Sequence, residues 1–116
     1  MRSTDEVIRS HLAHRAAGDL EGDLAENYHD DVVLLSWGEG VTRGKDGVRR
    51  LASILKTYVS AGQYRYDDVI AADEFAMLRW HGEAPDLQVH DGTDSFVVRG
   101  GLIVAQTIAY AVDQKP

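Results

Sequence analysis

The hydrophobic period changes once along this chain, near Gly62, and that change limits the folds open to it. Before Gly62 the apolar residues recur at helical spacing. Ser3 and Glu6 make a capping-box pattern, followed by Val7, Ile8, Leu12 and Ala16 on one helical stripe. Gly18 is the natural stop, because only glycine enters the left-handed C′ conformation without strain. Asp19 caps a second short helix through Leu20, Leu24 and Tyr28. After His29-Asp30-Asp31, the run Val32 to Trp37 reads as a β-strand, and Gly38, Gly40 and Gly44 then break the pattern as turns. A third helix carries Val48, Leu51, Leu55, Tyr58 and Val59 inward, with Arg49, Arg50 and Lys56 outside, and ends at Gly62.

From Gln63 the period is two. Tyr64 to Ala72 and Phe75 to Glu83 flank an Asp73-Glu74 turn, and Thr93 to Arg99 and Leu102 to Val112 flank Gly100-Gly101, a strong hairpin signal. Asp91-Gly92 is either a hairpin turn or a bulge inside a longer strand. Helices first and antiparallel strands afterwards give an α+β class. The expected architecture is a cone: a strongly curved antiparallel sheet closed on one face by three N-terminal helices, with a ligand pocket at its mouth.

Composition narrows the function classes. The 116 residues make one domain, residues 1–116, large enough to bury a core without covalent staples. No cysteine is present, which excludes disulfides, thiolate metal sites and cysteine nucleophiles. A net charge of −7 argues against nucleic acid as the partner. The N-terminus lacks an apolar signal region and no apolar run approaches membrane-spanning length, so a cytoplasmic location with no membrane partner is expected. His11 and His14 lack a supporting third ligand, and His29, His81 and His90 are scattered, so no metal site is read. The glycine-rich segments Gly38-Glu39-Gly40 and Gly44-Lys45-Asp46-Gly47 match no phosphate loop.

Four segments resemble a known family. They are His11 to Leu20 with its Ala17-Gly18-Asp19-Leu20 end, Tyr28-His29-Asp30-Asp31-Val32-Val33, Arg43 to Arg49, and Gly92 to Ile103. Together they resemble the nuclear transport factor 2-like superfamily, in particular the SnoaL-like polyketide cyclases and the ketosteroid isomerases. The resemblance implies the same cone, a homodimer through the outer sheet face, no cofactor, and polar groups inside the cone. In ketosteroid isomerases those groups are a tyrosine, an aspartate base and a protonated aspartic acid. Counted without gaps, their places fall here on His11, Leu35 and Asp94. The base position is therefore apolar, and the resemblance does not extend to steroid isomerisation itself.

Asp94, Phe96 and Val98 share one strand face, and that face is apolar. A carboxylate there must be paired, hydrogen-bonded or neutral. Asp94 is thus a candidate catalytic acid, or alternatively a strand-end aspartate serving a neighbouring loop. His11 is the candidate acid-base, with Asp94 as its partner or as an oxyanion donor, or else a helix histidine without a role. Trp37, Leu55, Tyr58, Leu78, Trp80, Gln106, Ile108 and Tyr110 are read as the substrate-binding wall, or as core filling. The opposite strand parity would put Arg79 and His81 inside in place of Leu78 and Trp80. The function expected is proton transfer (cyclisation, isomerisation or dehydration) on a hydrophobic small molecule. A non-catalytic ligand-binding or dimerisation module of the same fold is the alternative.

Overall fold

The computed structural model describes residues 1–116. Helix α1 (Thr4–Ala16) opens on the capping box, with Glu6 N–H donating to Ser3 Oγ at 3.1 Å and Ser3 N–H donating to Glu6 Oε1 at 3.0 Å. Gly18 takes a φ of 70°, and Asp19 Oδ1 accepts from Gly22 N–H at 3.0 Å to start α2 (Leu20–Asn27). The buried residues of α1 are Thr4, Val7, Ile8 and His11, so a histidine completes the inward stripe. Helix α2 buries Leu24 together with two polar residues, Asp23 and Asn27.

Strand β1 (Tyr28–Ser36) leads through a short β2 (Gly40–Arg43) into α3 (Gly44–Tyr58). Where the glycines Gly38, Gly40 and Gly44 predict only turns, β2 is a strand, because four residues opening on a glycine are too few for a period to register. Helix α3 ends at Tyr58, where Val59 is already extended, rather than at Gly62. Strands β3 (Arg65–Ala72), β4 (Phe75–Glu83), β5 (Leu87–Arg99) and β6 (Leu102–Gln114) follow. The six strands form one sheet in the order β2-β1-β6-β5-β4-β3. Every neighbouring pair is antiparallel except β1 and β6, which run parallel, so the sheet is mixed rather than wholly antiparallel. Short turns force reversal between consecutive strands, whereas β1 and β6 are separated by most of the chain and either direction is open to them. A period of two carries no information on that choice.

Three of the five register slips lie side by side, at Tyr66/Asp68 in β3, Trp80/Gly82 in β4 and His90/Thr93 in β5. Bulges increase local twist and bend, and a row of them curves the sheet. Asp91-Gly92 is therefore a bulge inside one long strand, with Asp91 at a φ of 54°. The inner face carries Leu78, Trp80, Phe96, Val98, Ile103 and Ile108 into the core beneath the helices. The architecture is α+β, a curved sheet closed on one face by three helices. No helix is long and apolar enough to cross a membrane.

Gly92 is required by close approach. A Cβ there would lie 2.3 Å from Cδ2 of Trp80, so only a bare backbone lets the indole lie across the bulge. Gly92→Ala is expected to displace the indole and destabilise the protein by about 1–3 kcal/mol. Urea denaturation followed by tryptophan fluorescence measures this, and an unchanged midpoint would refute it.

Candidate functional site

Between the concave sheet face and helices α1 and α3 lies a cavity of about 310 Å³, large enough for a small organic molecule. Its floor is built on Asp94, which is only 7% exposed. Asp94 Oδ1 accepts from Trp80 Nε1–H at 2.9 Å and Oδ2 from Gln106 Nε2–H at 3.0 Å. The Gln106 amide uses its other end as well, with Oε1 accepting from the Tyr28 hydroxyl at 2.5 Å. Burial pushes the Asp94 carboxyl up to about 6, opposed by those two hydrogen bonds and by the positive charges of Arg15 and of His11 in its protonated form. Burial also raises the Tyr28 phenol well above its ordinary value, so it stays a donor.

The wall is built on His11. Its Nδ1 lies 2.7 Å from Asp23 Oδ2, and Asp23 is fully buried. An ionised carboxylate only accepts, so Nδ1 carries the proton and the lone pair of the neutral ring sits on Nε2. No protein group bonds Nε2, and the residue lines the cavity. Behind it, Asp23 Oδ1 accepts from Asn27 Nδ2 at 2.8 Å, and Asn27 Oδ1 accepts from Arg2 at 2.7 Å. Edge-on contacts from Tyr28 and Phe96 hold the ring from its sides.

Leu55, Leu78, Trp80, Gln106 and Ile108 line this cavity with Asp94 and His11. Leu78 and Trp80 face inward while Arg79 and His81 point out, which settles the parity of β4. Three placements differ from the sequence reading. Trp37 is 95% exposed, because it lies one residue beyond the end of β1, where strand alternation no longer applies. Tyr58 and Tyr110 pack edge-on against each other and border a separate, smaller cleft with Trp37, on the far side of Leu55 and Ile108. Leu35, the place assigned to the family's base, points outward at 47% exposure, and Leu34 is the β1 residue at the cavity. His11 and Asp94 line the same cavity but do not bond each other, since each has other partners. Asp23, Asn27, Tyr28 and Arg15 escaped the sequence reading. The one available signal was the i, i+4 polar pair Asp23/Asn27 beside the apolar stripe of α2. Nowhere do three His, Asp or Glu side chains converge as a metal site would require.

The sequence profile of the SnoaL-like domain matches residues 8–106. The chain belongs to that family, within the nuclear transport factor 2-like superfamily. No curated protein matches the sequence. Among solved structures, a candidate ketosteroid isomerase from Kribbella flavida superposes with a TM-score of 0.78 at 15% identity, over 97% of this chain and 81% of that one. A candidate SnoaL-like polyketide cyclase from Mesorhizobium loti gives 0.62 at 15% identity, over 92% and 98%. A de novo designed protein with a curved β-sheet gives 0.76 at 16% identity, over 93% and 84%. A designed scaffold matches as well as natural SnoaL-like neighbours, so the fold alone does not specify chemistry.

Asp94 makes stability depend on pH. Its folded pKa of about 6 lies above the ordinary 3.8, so the native state holds the proton more tightly than the unfolded chain. Its contribution is fully present below about pH 4 and is lost as pH rises through 6. Asp94→Asn removes that dependence. The stability of the variant relative to wild type should therefore rise by about 3 kcal/mol between pH 3.5 and pH 7.5. Urea titrations of both proteins at the two pH values measure it, and a constant difference would refute the assignment.

Proposed function

We propose that the cavity binds a hydrophobic, ring-bearing small molecule and moves a proton on it, in a cyclisation, isomerisation or dehydration. The observation that carries this reading is the pairing, in one apolar cavity, of a base anchored by a buried carboxylate and an acid kept protonatable by burial. The free Nε2 of His11 takes the proton, and Asp23 stabilises the imidazolium that forms. Asp94 donates a hydrogen bond or a proton to the ligand oxygen as negative charge develops there. A ligand that displaces water from the cavity removes what solvation the carboxyl retains and favours its protonated form further. Family membership supports the reading through neighbours described as isomerase and cyclase candidates.

The test is proton exchange at the carbon next to a ketone, with 2-tetralone in D2O followed by NMR. The wild-type protein is expected to exceed the buffer rate and His11→Gln to lose roughly 100-fold of that excess. Asp94→Asn should also slow exchange while the protein stays folded. Exchange no faster than buffer, with a tetralone-induced rise in melting temperature, would instead establish the binding module. That rival draws on one observation, the leucine at the cavity position of β1.

The same reading extends to assembly as a homodimer through the outer sheet face. The register links Val41, Leu35, Thr107, Ser95, Met77 and Ile70 in one row across all six strands. Val41, Leu35, Met77 and Ile70 in that row are exposed, as is Phe75 beside it. Charged residues at its margins are already paired, Arg79 with Asp68 and Arg99 with Glu74, so a second copy meets a neutral, apolar surface despite the net charge of the chain. Light scattering should give twice the chain mass of 12.8 kDa, and Met77→Glu should give the single-chain mass. A wild-type protein at the single-chain mass at high concentration would overturn this.

A further inference from the structure

We propose that the ligand is an acid: a ring-bearing hydrophobic molecule whose carboxylate is held at the cavity mouth by Arg15, with Lys56 opposite. The inference rests on the small-molecule reading above and adds the ligand's charge class. Carboxylates outnumber basic groups in this chain, 19 to 12, and the basic side chains are largely held by them. Arg50 is paired with Glu39, Arg99 with Glu74, and Arg49 with both Glu21 and Asp46. The cavity reverses that balance. Arg15, Arg49 and Lys56 line it, and Asp94 is its one carboxylate. Of these cations, Arg49 is engaged, whereas neither Arg15 nor Lys56 has an ion pair or a side-chain hydrogen bond.

Arg15 is half-buried, so its five donors are partly removed from water without receiving an acceptor, an arrangement that a ligand carboxylate would complete in bidentate fashion. Its charge reaches inward, where it opposes in small part the rise that burial imposes on the pKa of Asp94, Tyr28 and Tyr66. Lys56 is exposed on α3, and Gly18, Ser53 and Ala61 are the other exposed lining residues, which places the mouth between the end of α1 and the flank of α3. Arg15 also follows His11 by four residues on α1, so the two side chains share a face about 6 Å apart along the axis. The carboxylate would accordingly stand about one helical turn from the carbon that His11 addresses. The ring would lie deeper, over Trp80.

Calorimetric titration of the full chain with 2-naphthoate and methyl 2-naphthoate at pH 7.5 tests this, because the two probes share a ring system and differ in charge. Wild type should bind the acid about tenfold more tightly than the ester, with the preference shrinking as salt is raised. Arg15→Gln should abolish the preference and leave ester affinity within about twofold; Lys56→Gln should reduce it. Arg15→Lys, which keeps the charge but not the planar fork, should retain part of it and serves if the glutamine variant folds poorly. Equal binding of acid and ester, or a preference that survives Arg15→Gln, overturns the proposal while leaving proton transfer on neutral ketones intact. Failure of both probes to bind overturns it together with the hydrophobic-ligand reading. Normal acid preference without tetralone exchange removes only the catalytic role.

Discussion

A carboxyl group buried on an apolar sheet face has to be supplied with donors, and the floor of this cavity is organised around that need. Asp94 receives the indole N–H of Trp80 from the neighbouring strand on one side and the amide of Gln106 from the neighbouring strand on the other. Each donor depends on a further feature. The indole reaches Asp94 because Gly92 leaves its path clear, and the bulge that holds Gly92 also bends the sheet. The amide is oriented because the Tyr28 hydroxyl occupies its oxygen. One polar group thus couples sheet curvature, strand register and the start of β1. Burial still prevails over the two hydrogen bonds, which is why the carboxyl titrates near 6 rather than below its ordinary value.

The wall is supported separately and from farther away. Arg2 donates to Asn27 Oδ1, to the Glu26 carbonyl and to the Gly101 carbonyl at 2.7, 2.7 and 2.8 Å. It joins the N-terminus to the end of α2 and to the β5–β6 turn. Asn27 in turn bonds Asp23, and Asp23 holds His11. Because every member of this chain has a partner, the buried Asp23 keeps a donor on each oxygen, and the orientation of the imidazole is fixed. A half-satisfied network in the same place would be less stable than an apolar one. Its presence between two helices that could have packed with leucines is the physical reason to regard His11 as more than a core residue.

Local rules were legible from the residues alone. The capping box of Ser3 and Glu6, the Gly18 stop and the Asp19 cap each follow from short-range chemistry, and the structure shows them, whereas alternation alone leaves the parity of β4 open between Leu78/Trp80 and Arg79/His81. The inward placement of Asp94 and Gln106 followed from alternation within a strand. What stayed hidden depends on distant partners. Nothing local distinguishes a parallel β1–β6 pair from an antiparallel one. Nothing local reveals that Asp23 turns toward His11 rather than toward solvent, since an aspartate on a short helix is ordinarily a surface residue. Trp37 lies one residue past the end of β1, in a turn, where alternation no longer decides which face a side chain takes.

The leucine at the cavity position of β1 has a geometric consequence. In the ketosteroid isomerase pattern the sheet supplies both the base and the neutral acid, so both reach the ligand from the floor. With Leu34 there, the sheet offers only Asp94, and in the proposed reaction the base is His11 on α1. Base and acid then approach from two different layers, wall and floor, whose relative position is set by packing between helix and sheet. Under that proposal a ligand between them would present its acidic C–H toward the helix and its oxygen toward β5, across the width of a ring rather than along one edge. Among the apolar lining side chains, Leu34, Leu55, Leu78 and Ile108 offer no hydrogen bonds to a ligand. Orientation must therefore come from the polar groups alone, and their arrangement on two layers is what this chain adds to a fold it shares with a designed protein.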